Sequence, residues 1–370
     1  MKVAIIGPEF GFGGANLVAE IVGEGLHAKQ EVHYIAYEKD NAAFHARPYY
    51  FVGKQRSAIQ QVLQKIDKGL RVALRHEFVP SHYLKDEVSA TIAYIQAQHI
   101  DKVILNSYIA VTLFAEPIKN QCHHIEIIGW LHEAVEYCKH LTRHYRPSFK
   151  RGVVACDQIV VLSKESLDYY HNWQPNIQVI YNPVQLPTHG LSALTKPVIS
   201  FTARLSFKVK GLDYLCEVAA NLPEGWKIRV AGQGTPDEIA EFRKVIDQYS
   251  VTNKLQFVGE LHGDALAKHY QESSIFLSTS RTEALPLVMI EALSFGLPIV
   301  SFDHSGAKEI LEHGQDGILS EVGDVSGLVD GIQKLIDNPE ERQMYQQKSI
   351  NRYQAFQLTT VLSRWERVLS

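Results

Sequence analysis

Apolar segments of strand length alternate with helix-period segments along this chain, and the alternation runs twice, on either side of a proline-rich break. In the first half the strand segments are 2–7 (KVAIIG), 31–37, 102–107, 125–132, 158–163 and 177–181. In the second half they read VISFTA, KIRVAG, LQFV, SIFLSTS, PIVSFD and GILSE. Strands separated by helical segments are joined by crossovers rather than hairpins, which predicts parallel sheets with both faces covered. The fold class is therefore α/β, with two sheets. The break is NPVQLPTHGLSALTKP (182–197), read as a linker. The last stretch, from Glu341 to Ser370, reads as helical, and a length of 370 residues suits two domains.

Composition narrows the class. The hydrophobic content of 45% and charged content of 21% are those of an ordinary globular protein. A net charge of −4 argues against nucleic acid as a partner. Cys122, Cys138, Cys156 and Cys216 form no Cys-x-x-Cys pair, so they carry no metal or redox signature, and scattered thiols fit the cytosol. The segment MKVAIIGPEF lacks a signal-peptide pattern, and no apolar run reaches the roughly 20 residues that span a bilayer. The expected location is cytoplasmic.

The segment RTEALPLVMIEALSFGLPIV (281–300) carries the chemistry. Apolar strands flank it, and LPLVMIEALSFG reads as a helix ended by Gly296 and Pro298. Glu283 falls in the strand-to-helix loop, and Glu291 sits further in, where a helical side chain leans back toward that loop. Pro286 suits the first helical turn. Ligands of open α/β sheets sit at the carboxyl ends of strands, and free N–H groups at a helix start favour an anion. Two carboxylates accept hydrogen bonds only, so they suit sugar or ribose hydroxyls. Cations come from TARLSFKVKG (202–211): Arg204 can fork onto phosphate oxygens and Lys210 can act as a point charge. Together these residues complement a nucleoside-diphosphate sugar.

This set resembles the C-terminal half of the GT-B retaining glycosyltransferases of family 4, the glycosyl transferases group 1. TARLSFKVKG, RVAGQG, LQFVGEL, the Glu-x7-Glu segment, PIVSFDHSGAKEIL and HGQDGIL follow one another in family order. The resemblance implies two Rossmann-like parallel-sheet domains facing across a cleft. It places an acceptor-side domain at 1–183, a nucleotide-sugar domain at 184–352, and a helix at 353–370 crossing back to the first domain. It assigns Arg204 and Lys210 to the diphosphate, Glu283 to the donor sugar, Glu291 to the ribose, and backbone N–H groups of Leu285, Leu287 and Val288 to sugar or phosphate. Where the family often has Glu-Gly-Phe-Gly, this chain has Glu283-Ala284-Leu285-Pro286, which leaves the donor sugar open.

In the first half, GPEFGFGGAN follows the first strand, and Gly11, Gly13 and Gly14 would let backbone approach a ligand. It is not G-x-G-x-x-G, so a dinucleotide reading is weak. In similar family members such a loop lies over donor phosphates and acceptor, which assigns Gly13 and Gly14 to the donor. His132 ends a strand where the family often has a histidine near the donor sugar, and Asn182-Pro183 matches a family turn. Residues 54–75 place Ile59, Val62, Leu63, Ile66, Leu70, Ala73 and Leu74 at helical spacing among Lys54, Arg56, Lys65, Lys68, Arg71 and Arg75. This is either a basic amphipathic helix on an anionic membrane or an ordinary helix with its apolar face in the core. A second basic cluster is Lys139, Arg143, Arg146, Lys150 and Arg151.

The expectation is a retaining hexosyltransferase using a nucleoside-diphosphate sugar, foremost a UDP-sugar, with a hydroxyl acceptor on a cell-envelope saccharide, lipid-linked or protein-linked glycan. No Asp-x-Asp motif is present, so no metal and no cofactor beyond the donor substrate is expected. Peripheral contact with the inner face of the plasma membrane follows if 54–75 touches lipid. Two other readings fit: a non-catalytic GT-B partner subunit, or a phosphorylase- or epimerase-like enzyme on similar sheets.

Overall fold

The computed structural model describes residues 1–11, 14–41, 44, 48–187 and 190–370, in two compact units. One unit comprises Met1–Pro183 with Val361–Ser370, and the other Val184–Thr360. Both are parallel α/β sandwiches, as the strand–helix alternation requires.

The first unit is built on a seven-stranded sheet of order β3-β2-β1-β4-β5-β6-β7. Its strands are β1 (Lys2–Gly7), β2 (Glu31–Ala36), β3 (Tyr49–Phe51), β4 (Lys102–Asn106), β5 (Glu126–Leu131), β6 (Gln158–Val161) and β7 (Ile177–Val179). All pairings are parallel, and after Lys2 the whole of β1 is buried. Strand β3 was not expected. It has three residues, too few for a period to show, and it forms by pairing Tyr49 with Tyr34 at the sheet edge. The chain-terminal helix Leu358–Leu369 belongs to this unit from Val361 onward. Trp365 meets Trp130 of β5 edge-to-face at 4.6 Å, and both are fully buried. Leu362 packs where Gly25 has no side chain, since a Cβ there would lie 2.5 Å from Leu362 Cδ1.

The helix Ala58–Arg75 inverts the usual polarity of a surface helix. Ser57 and Gln60 form a capping box at its start, and it runs unbroken through Gly69. Its half-buried positions are Gln64, Asp67, Lys68, Arg71 and Val72, nearly all polar. Ile59, Val62, Leu63, Ile66, Leu70 and Leu74 face outward, with Ile59 72% and Leu74 80% exposed. The reading that put the apolar face in the core is therefore overturned. What turns the polar face inward is a set of specific partners: Asp67 takes hydrogen bonds from Arg71 and the Tyr83 hydroxyl, and Lys68 lies over the rings of Phe78 and Tyr83.

The second unit has a six-stranded sheet of order β10-β9-β8-β11-β12-β13. The strands are β8 (Val198–Thr202), β9 (Lys227–Ala231), β10 (Leu255–Gly259), β11 (Ile275–Ser278), β12 (Ile299–Phe302) and β13 (Ile318–Ser320). All six match the expected segments. The order grows from β8 in both directions, so the topological switch point lies between β8 and β11. There the connecting loops part to opposite faces and leave a crevice at the carboxyl edge.

Candidate functional site

The switch point of the second sheet is where the charged residues gather. Lys210 reaches it from the end of the short helix Phe207–Lys210 after β8, and Glu283 from the loop after β11. The Lys210 Nζ and Glu283 Oε1 form an ion pair, with the two side chains 18% and 19% exposed. Ser280 Oγ donates to the same carboxylate oxygen at 3.2 Å. Residues 73 apart in sequence therefore share one short contact.

The surrounding backbone holds both loops in place. Thr279 Oγ1 lies 2.8 Å from the Lys210 carbonyl and 2.9 Å from that of Gly211. Gly211 has φ +62°, and a Cβ there would lie 2.2 Å from the Thr279 carbonyl, so only glycine fits. Arg281 ties the loops together: its guanidinium donates to Asp213 Oδ2 at 2.6 Å and to the Phe207 carbonyl at 2.7 Å, and stacks on Tyr214. From β12, the helix Ser305–Ile310 starts against Glu283, whose carbonyl accepts from Gly306 N–H at 3.0 Å. His304 caps that helix by accepting the Ala307 N–H at Nδ1, and burial pushes its pKa down to about 4, against the opposing pull of Glu283. Arg281 and His304 were not singled out from the sequence, because nothing local marks a residue that acts through a neighbouring loop.

Glu291 is on the helix Leu287–Ser294, whose start at Pro286 has no side-chain cap. Its carboxylate accepts the Tyr270 hydroxyl at 2.6 Å. Burial raises the Glu291 pKa, and the Tyr270 bond opposes that. A carboxylate among Met289, Ile290, Ala292 and Leu293 thus has the partner that its surroundings demand. Leu285 is buried, while Leu287 and Val288 form the first helical turn. Arg204 is not brought to the Lys210–Glu283 pair. It is 69% exposed, 4.0 Å from Glu238, and lines a cavity of about 300 Å³ with Gln233, Gly234 and Thr235.

In the first unit the switch point lies between β1 and β4, by the same topology. Gly14 opens the helix Gly14–Leu26 after β1, and Gly13 lies outside the described residues. Asn106 ends β4 and meets both Asn16 (3.4 Å) and His132 Nε2 (2.7 Å), so His132 is held by a partner from the neighbouring strand. Burial lowers its pKa to about 3, so the imidazole is neutral. The next residue, Glu133, accepts the His132 N–H at 3.2 Å, yet burial pushes its carboxyl up to about 7. All four cysteines are buried and unpaired. Among the described residues no group of three His, Cys, Asp or Glu side chains could hold a metal ion, and no helix is long and apolar enough to cross a membrane.

The glycosyl transferases group 1 model matches residues 188–352. An uncharacterized glycosyltransferase of Haemophilus influenzae is 33% identical over 230 residues, covering 59% of this chain and 62% of that protein. An exopolysaccharide phosphotransferase of Streptomyces coelicolor is 25% identical over 62% of this chain and 26% of its own length, so the chain spans less than two thirds of either relative. The lipopolysaccharide 1,6-galactosyltransferase of Escherichia coli is 24% identical over 74% of this chain and 77% of its own. Among solved structures, Anabaena HepE in complex with UDP superimposes with a TM-score of 0.79 at 18% identity, covering 100% and 99% of the two chains.

Glu133 makes a testable pH effect. Its folded pKa of about 7 exceeds the ordinary 4.5, so the folded state keeps a proton that the unfolded chain releases. That contribution to stability is complete below about pH 4.5 and is lost as pH rises through 7, by at most about 3 kcal/mol. Urea midpoints of Glu133→Gln should therefore gain on the wild type from pH 5 to 8; parallel curves would contradict the assignment. Residues 188–352, which hold the second sheet and the loops that meet at Lys210 and Glu283, match the glycosyl transferases group 1 model.

Proposed function

We propose that this protein is a retaining glycosyltransferase that moves a hexose from a nucleoside-diphosphate sugar, foremost a UDP-sugar, to a hydroxyl acceptor on a cell-envelope saccharide, lipid-linked or protein-linked glycan. The observation that carries this reading is the Lys210–Glu283 pair at the switch point of the second sheet. Without ligand the two charges neutralise each other, which avoids two uncompensated half-buried ions. A diphosphate sugar offers each a better partner: phosphate oxygens for the ammonium and sugar hydroxyls for the carboxylate. The donor thereby replaces one ion pair with two directed contacts.

The chemical step then needs stabilisation of the departing diphosphate. Lys210 and the first N–H groups of the helix Leu287–Ser294 are the candidates and need no metal; Arg204, exposed beside Glu238, would have to swing in to join them. Glu283 is assigned to the sugar hydroxyls rather than to covalent attack, so the acceptor hydroxyl attacks the face that the diphosphate leaves, and the leaving phosphate takes its proton. Glu291, anchored by Tyr270, is assigned to the ribose hydroxyls. The UDP complex of HepE and the galactosyltransferase relative support a UDP-sugar donor and a saccharide acceptor.

Contact with an anionic membrane surface completes the reading. The outward apolar face of the helix Ala58–Arg75 needs a cover, and lipid fits it because the neighbouring surface is basic. Phe78, just past the helix, donates its N–H to the His144 carbonyl and packs on Tyr145, and Arg143 and Arg146 on either side of that contact are exposed. Such a surface attracts acidic headgroups at about 1 kcal/mol per basic residue.

Two experiments test these assignments. Titration calorimetry with UDP should show Lys210→Ala weakening binding by tenfold or more, about 1.4 kcal/mol. Glu283→Ala should keep UDP affinity within about threefold yet lose transfer from a UDP-hexose; full transfer by both variants would refute the site. In co-sedimentation, vesicles containing phosphatidylglycerol should retain the protein and neutral phosphatidylcholine vesicles should not. Ile66→Asp with Leu70→Asp should abolish retention, and unchanged retention would remove the membrane from the account.

A further inference from the structure

Beneath the inverted helix the first unit forms a half-open cavity of about 390 Å³. Its lining is unusual for a core-side hollow, with Lys54, Arg56 and Lys68 set among Phe78, Tyr83 and Tyr145, and Glu38 on the wall. Two of these cations are already neutralised. Arg56 pairs with Glu87, which is wholly buried, at 2.7 Å, and Lys54 pairs with Asp86 at 3.0 Å. Lys68 differs: among the described residues it has no carboxylate partner, and its ammonium rests 5.6 Å and 4.7 Å from the ring centroids of Phe78 and Tyr83. Burial and the nearby Arg56 charge both lower its pKa, so the environment disfavours the ammonium as it stands.

A cation held in this way lacks an anion. Ring faces stabilise an ammonium only modestly, and a charge-assisted bond to phosphate is stronger. The same helix could have turned its leucines inward and its lysine out, as most surface helices do. Instead the fold keeps Lys68 over a hollow large enough for a sugar, with aromatic faces to pack on a pyranose and Glu38 to accept hydroxyl protons. The cavity also adjoins Arg56 and the segment Pro80–Tyr83, whose Tyr83 carbonyl Arg56 bonds at 2.9 Å, so its wall is fixed.

We propose that this cavity binds a phosphorylated saccharide, with Lys68 holding the phosphate, and that it is the acceptor-side subsite of the protein. The identification as an acceptor subsite rests on the glycosyltransferase reading; the phosphate site does not. The phosphate belongs either to a soluble sugar phosphate or to a lipid whose headgroup enters the same cavity.

The test uses the whole chain with UDP at saturation, which removes the donor site from the measurement. Glucose 6-phosphate, titrated by calorimetry, is the soluble probe; vesicles of phosphatidylcholine with or without phosphatidic acid are the lipid probe. Lys68→Gln should weaken one of them by tenfold or more, and Lys68→Arg should restore it, which also shows that the variants fold. Dependence on Lys68 in the soluble arm assigns the phosphate to a saccharide, and in the vesicle arm to a lipid. Binding unaffected by Lys68→Gln in both arms, displacement of glucose 6-phosphate by UDP, or no binding of either probe overturns the proposal. If UDP itself fails to bind the wild type, the glycosyltransferase reading falls, and Lys68 dependence still decides the phosphate site.

Discussion

Lys210 and Glu283 stand opposite each other at the carboxyl edge of the second sheet, and most of the local architecture serves to keep them there. A pair of half-buried ions is costly to assemble unless both loops are rigid. Gly211 lets one loop turn against the Thr279 carbonyl, Thr279 bonds that loop's carbonyls, and Arg281 bridges to Asp213 and Phe207. Gly306 brings a third loop against Glu283, where a Cβ would clash with Pro286 and Ala284. Strand order decides the rest: growth from β8 in both directions opens the crevice that these loops line.

The first unit poses the complementary problem. Its sheet buries its strands as completely as the second, and the terminal helix adds Trp365 to that core. Yet the helix Ala58–Arg75 contributes nothing to it, since none of its residues is buried. An apolar stripe of that size exposed to water is unfavourable unless something covers it. Its inward polar face is the other half of the same arrangement. Turning Lys68 toward Phe78 and Tyr83 both creates the cavity and displays the leucines, so outer surface and inner hollow have a common origin.

Much of this was legible in the residues. Strand segments of the second half are apolar and bounded by turn formers, and each became a strand. In the first half, Tyr49–Phe51 was invisible because pairing with β2, not its own pattern, makes it a strand. The charged residues of the site could be named, but their partners could not. Glu283 meets Lys210, Glu291 meets Tyr270, and His132 meets Asn106, each across a gap that only the folded sheet closes. Amphipathicity at 58–75 was plain from the period, whereas its direction was not. A period states that two faces differ; which one turns inward depends on Asp67, Phe78 and Tyr83.

The central claim is that donor binding separates an ion pair and gives each member a new partner. A crystal structure of the protein with UDP-glucose bound tests it most directly. The account predicts Lys210 Nζ within hydrogen-bond distance of a diphosphate oxygen, Glu283 accepting from a sugar hydroxyl, and the direct contact between the two side chains broken. A structure in which the nucleotide sugar is bound while Lys210 and Glu283 stay paired to each other, touching neither phosphate nor sugar, would contradict it.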